Sequence, residues 1–173
     1  MKLTKFFLPI ILAVLFFSCS EDDPTPAGEG IPGTWNLTGI EYTGSNTVSV
    51  LGIPVTTIPF TGTGRDLDLE IQFVEDTNEF EASGTYSIDL AYEIEGTPLS
   101  YTLEDQEFIA PGTWVQDGDI ITISSPGQFD QELRVVEMTE NTVVMAWDFE
   151  ESFNQQGTIN AVTLNGTYTF ERK

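Results

Sequence analysis

The chain has 173 residues, with 28 acidic and 6 basic side chains, no histidine and one cysteine, for a net charge of −22. So negative a surface repels phosphate backbones and anionic head groups, which excludes nucleic acid as a partner. Without histidine the chain lacks the commonest general base, the Ser-His triads and the usual zinc sites, and a lone cysteine has no partner for an intramolecular disulfide.

In chain order, Lys2 and Lys5 precede an apolar stretch from Phe6 to Phe17, which Ser18-Cys19-Ser20 closes. A stretch of this length suits a secretory signal, since a spanning helix needs about 20 apolar residues. Pro9 inside it also works against a stable helix. The segment Leu15-Phe16-Phe17-Ser18-Cys19 resembles a lipobox, with Ser18 as the small residue before the cut; Phe16 and Phe17 are bulkier than that pattern usually carries. The expectation is a lipoprotein signal peptide over 1–18 and lipid attached to Cys19. The alternative is an ordinary cleaved signal in which Cys19 is incidental. Residues 19–31 are acidic and then Pro- and Gly-rich, and read as a flexible linker, leaving 32–173 as one domain. Loss of Lys2 and Lys5 with the signal would leave 4 − 28 = −24. Attachment to a membrane must then come from lipid. One acyl chain holds with K on the order of 10⁴ M⁻¹, so a stable tether implies two or more.

The rest of the chain alternates with a period of two. Residues 33–43 read as an opening strand and 47–61 as a hairpin arm around Gly52-Ile53-Pro54. From Leu67 to Phe73 the odd positions are apolar. After the turn signal Asp76-Thr77-Asn78 the apolar parity is even, from Phe80 through Tyr86, Ile88, Leu90 and Tyr92 to Ile94. So long a strand must bend, and Gly84 is the natural place. Leu99, Tyr101 and Leu103 alternate next, and Trp114 leads into the hairpin turn Asp117-Gly118-Asp119. Residues 131–138 and 142–150 form a pair around Glu140-Asn141, and 157–164 and 166–172 make the last strand or strands, with Gly166 between them. The expected fold is all-β, an antiparallel up-and-down β-barrel of about 8–10 strands. Closure is favoured over a sandwich because it removes exposed edges.

Gly33-Thr34-Trp35 at the first strand, with Arg172 near the end of the last, resembles the lipocalin signature. The pieces Gly112-Thr113-Trp114 through Ile123 and Leu133 through Met145 resemble the lipocalin-like domains of Bacteroidota lipoproteins. The resemblance implies that Arg172 packs across Trp35 as a structural plug at the closed end of the barrel; the alternative is a core tryptophan and a solvated terminal charge. It also implies a binding role. Glu21-Asp22-Asp23, just behind Cys19, resembles the signal that sends such lipoproteins to the outer membrane and its outer face, against which stands a merely acidic linker on the periplasmic side.

Chemistry in the domain is expected to be binding without catalysis, metal or cofactor. The carboxylates Asp66, Asp68, Glu70, Glu81, Asp89, Glu93 and Glu95 occupy the polar positions of alternating strands, a solvated outer face. The acidic loops at Glu104-Asp105-Gln106-Glu107, Asp117-Gly118-Asp119 and Asp148-Phe149-Glu150-Glu151 lack EF-hand spacing. The candidate ligand-binding residues are the rings of inward parity: Phe73, Tyr86, Tyr92, Tyr101, Trp147 and Phe149. They either line a pocket for a small apolar or amphipathic ligand or fill the barrel, in which case the loops would contact another envelope protein or a glycan.

Overall fold

The structure is a computed structural model and describes residues 30–173. The expected signal peptide, Cys19, the acidic cluster and nearly all of the linker lie outside the described residues. Nine strands follow one another: β1 Gly33–Val50, β2 Ile53–Val74, β3 Glu79–Ile94, β4 Thr97–Gln106, β5 Gly112–Asp117, β6 Ile120–Ser124, β7 Gln131–Met138, β8 Thr142–Gln155 and β9 Thr158–Arg172. They form one antiparallel sheet in the order β2-β1-β9-β8-β7-β6-β5-β3-β4, and β2 pairs with β3 to close the ring. β4 and β5 run in the same direction beside β3. β4 pairs with its distal half, from Tyr86 to Ile94, and β5 with Glu79 and Phe80. They act as one strand of the ring, interrupted at residues 107–111.

The long strands solve two problems visible in the sequence. First, the apolar parity of β2 changes along its length: Ile58 and Phe60 face inward, and so do Leu69, Ile71 and Phe73. A β-bulge between Arg65 and Asp68 makes the switch, with Asp66 at φ 50°. On the outer face Arg65 pins the bulge by reaching Asp66 at 3.1 Å, Asp89 at 3.6 Å and Glu104 at 2.8 Å. Second, Gly84 sits opposite Leu69 at φ 92°, and a Cβ there would lie 1.8 Å from the Asp68 carbonyl oxygen. The expected bend is thus a close backbone approach that only glycine permits.

Two expectations are revised. The opening strand does not end at residue 43, because uncharged Thr43 to Val50 stays paired on both sides, with β2 and with β9. Of the two readings left open for the end of the chain, one strand or two, the structure has one; the Tyr42 ring covers Gly166, where a Cβ would meet ring carbons at 2.4 and 2.6 Å. Ile31, placed by composition at the end of the linker, is fully buried and belongs to the domain. A single apolar residue behind a Pro/Gly run carries no periodicity by which to be assigned.

The core fills the closed end, where the termini and the β2–β3, β5–β6 and β7–β8 turns lie. Trp35, Ile71, Phe73, Phe80, Ile121, Ile123, Leu133, Val143, Met145 and Phe170 are each buried there to within 1 %. At about 25 cal/mol per Å² of apolar area, each such side chain contributes about 1.5–3 kcal/mol. Toward the other end β5, β6 and β7 stop early while β1, β2, β3, β8 and β9 continue. The distal half of the barrel wall is therefore open on one side.

A candidate ligand-binding site

The interruption between β4 and β5 turns Phe108 into the barrel. Its ring centroid lies 5.2 Å from that of Tyr168 and 6.0 Å from that of Phe170, both edge-on. Phe108 and Ile109 form one wall of a half-open cavity of about 240 Å³. Leu133 of β7, Trp147 of β8, Tyr168 of β9 and Tyr86 of β3 supply the remaining apolar surface, and Glu107, Gln128 and Gln131 supply polar groups. Tyr168 is the centre of this arrangement: it packs edge-on against Tyr86 at 6.4 Å and against Tyr42 at 5.7 Å.

Tyr168, which lines the cavity, shares a buried hydroxyl–hydroxyl hydrogen bond with Tyr42, which does not line it. Burial raises the pKa of Tyr42, Tyr86 and Tyr168 above the ordinary tyrosine value, because a phenolate would lose its hydration there. These groups are neutral donors and acceptors throughout the physiological range. Neutral aromatic walls suit an apolar body, and the polar groups of Glu107, Gln128 and Gln131 suit a polar end on the same ligand. Among the described residues no three acidic or thiol side chains converge where they could hold a metal ion.

Of the six rings singled out from parity, Tyr86 and Trp147 line this cavity. Phe149 stands behind Trp147 at 5.7 Å and does not reach it. Tyr92 belongs to a separate apolar trough of about 320 Å³ on the distal half of the same face, with Ile58, Phe60, Leu90 and Val162. Tyr101 flanks that face and is 59 % exposed. Phe73 is corrected: it is wedged between Phe80 at 5.2 Å and Trp114 at 5.3 Å in the closed end, touching neither space. Parity carries no information on height along the barrel axis. Tyr168 was legible by the same parity argument, since it alternates with Phe170. Phe108 was not, because its place depends on a break in the strand.

At the closed end the Arg172 guanidinium carbon lies 4.1 Å from the Trp35 ring centroid. Arg172 donates to the backbone oxygens of Glu140 (2.8 Å), Pro32 (2.9 Å) and Gly30 (3.0 Å), and the Trp35 indole N–H donates to that of Ile31 at 2.9 Å. The cation thus joins the incoming chain, the β7–β8 turn and the last strand.

No curated protein and no solved structure gives a significant match to this sequence. The profile of one protein family does, the lipocalin-like domain, over residues 31–145. That span runs from buried Ile31 through Trp35 and the β4–β5 break into β8, so it includes the plug tryptophan and most of the cavity wall. With the closed ring of nine antiparallel strands, it establishes that the chain belongs to the lipocalin-like domain family.

Proposed function

We propose that this protein is a lipid-anchored lipoprotein of the bacterial envelope, of the kind found in Bacteroidota, whose barrel binds a small apolar or amphipathic ligand without transforming it. One observation carries the binding part: the cavity under Phe108, where aromatic rings from β3, β8 and β9 line one space edged by the polar groups of Glu107, Gln128 and Gln131. The lipocalin-like fold supports the same reading. Among the residues lining the cavity Glu107 is the one carboxylate, short of the pair that glycoside hydrolysis needs, which supports binding over hydrolysis.

The test is displacement of an environment-sensitive dye, together with native mass spectrometry of protein purified from its own cells. A retained small molecule, or dye affinity lost at least about tenfold in Trp147→Ala with β-sheet circular dichroism intact, is the expected result. Dye binding indifferent to Trp147→Ala, with nothing retained, would overturn the assignment. The rival reading, a packed barrel whose loops contact an envelope protein or glycan, draws on the filled closed end and would then stand.

The anchor rests on the sequence: the apolar stretch, Ser18 before Cys19, and the want of a disulfide partner. Labelled fatty acid should enter the wild-type chain and not Cys19→Ser. Glu21-Asp22-Asp23 supports an outer-membrane, surface-facing position, so protease added to intact cells should remove the domain.

A further inference from the structure

In this acidic chain no charged residue occurs between Glu41 and Arg65, or between Glu151 and Glu171. The fold sets these two stretches side by side. β1 pairs with β2 from Glu41–Thr63 out to Val50–Ile53 and with β9 from Glu41–Thr167 out to Val50–Thr158, and the turn ends are joined by a hydrogen bond from Leu51 N–H to the Gly157 carbonyl at 2.9 Å. The result is a charge-free finger at the end of the barrel opposite the plug. Its tip is apolar and uncovered: Leu51 is 84 % exposed and Ile53 68 %, with Val50, Val55 and Phe153 beside them.

The tip turn itself gives the second observation. Three turns at this end have two central residues of positive φ, the second a glycine: Leu51-Gly52, Glu95-Gly96 and Gln156-Gly157. A first position of this kind favours Asn, Asp or Gly, and a large apolar side chain there gains nothing for the turn. The two neighbouring turns carry polar residues. At φ 52° and 84 % exposed, Leu51 only brushes the neighbouring turn at Gly157 and gains little packing and nothing for its own turn. A residue that breaks a local rule with so little gain to the fold points to a contact outside it.

We propose that this finger docks on a zwitterionic lipid surface, inserting Leu51 and Ile53 with Val50, Val55 and Phe153 around them. The charge pattern selects that occupant. A second copy would bring another net −22 to the contact, whereas a zwitterionic bilayer brings no net charge. The acids nearest the tip also stand back from it. By register Glu95 and Glu151 reach the level of Thr47 and Asn46, roughly 13–16 Å behind Leu51 at about 3.3 Å per residue. An apolar wedge buried by about 5–10 Å, the usual interfacial depth, leaves them in water.

The test uses the full chain with Cys19→Ser, so that one introduced cysteine carries a fluorophore, at Val55→Cys on the finger or Asp76→Cys at the closed end. Vesicles of phosphatidylcholine brominated on the acyl chains should quench the Val55 label several-fold more than the Asp76 label, unaffected by salt. Adding Leu51→Asp, a residue that tolerates the turn's positive φ, should abolish the difference. Equal quenching at both positions, or none at either, would overturn the proposal. So would self-association in the absence of vesicles that Leu51→Asp removes, which would make a second copy the occupant. None of these results depends on the cavity under Phe108.

Discussion

Replacing Arg172 with alanine removes a cation that the structure ties to three backbone carbonyls, two on the incoming chain and one in the β7–β8 turn. The ring contact at 4.1 Å is half-exposed, so it falls between the roughly 0.5–1 kcal/mol of exposed cation–π pairs and the roughly 2 kcal/mol of desolvated ones. Each of the three hydrogen bonds to carbonyls contributes about 0.5 kcal/mol, the low end for a group that water still reaches. Together they predict a loss of about 2–3 kcal/mol, or a fall in Tm of roughly 5–10 °C for a domain of this size. Urea unfolding followed by tryptophan fluorescence measures it, and unchanged m-values would show that the same transition is being compared. Arg172→Lys discriminates further: an ammonium keeps the charge but cannot spread its donors over Glu140, Pro32 and Gly30 from a planar fork, so it should recover less than half the loss. A stability within about 0.5 kcal/mol of wild type for Arg172→Ala would refute the plug and leave Trp35 as a core residue with a solvated cation nearby.

Gly84→Ala should destabilise by roughly 2–4 kcal/mol, since both the positive φ and the Asp68 carbonyl oppose a Cβ; Gly118→Ala, with positive φ but open space around it, should cost only about 1 kcal/mol in the same denaturation assay. Tyr168→Phe should cost about 1–2 kcal/mol by leaving the buried Tyr42 hydroxyl without its partner, while adding Tyr42→Phe should cost little more, so a double-mutant cycle that came out additive would contradict the shared bond. Alkaline pH should unfold the domain cooperatively. Burial lifts the folded pKa of Tyr42, Tyr86 and Tyr168 above the unfolded value of 10.0, so the stabilisation is complete below that value and is lost as pH rises beyond it. Phenolate absorbance from these three should appear together with the loss of β-sheet circular dichroism, and its appearance in the folded protein would argue against burial.

The sequence alone determined the class of fold and most of its turns. Period-two alternation is a local property, and the pleat converts it directly into an inner and an outer face. Ile121 and Ile123, or Val143 and Met145, could therefore be assigned to the core from their neighbours. Charge and composition likewise determined which chemistries are excluded. Tertiary structure decided what alternation cannot encode. Height along the axis separates Phe73, packed in the closed end, from Trp147 at the cavity, although both face inward. The Arg65–Asp68 bulge exchanges the inward parity within one continuous strand, which a sequence reading divides into two. Phe108 reaches Tyr168 only because strand pairing fails between β4 and β5, and Leu51 stands in water only because its turn projects beyond the short strands β5 to β7. Alternation reports which side of the sheet a residue takes; which partners it meets depends on register and strand length, set by contacts distant in sequence.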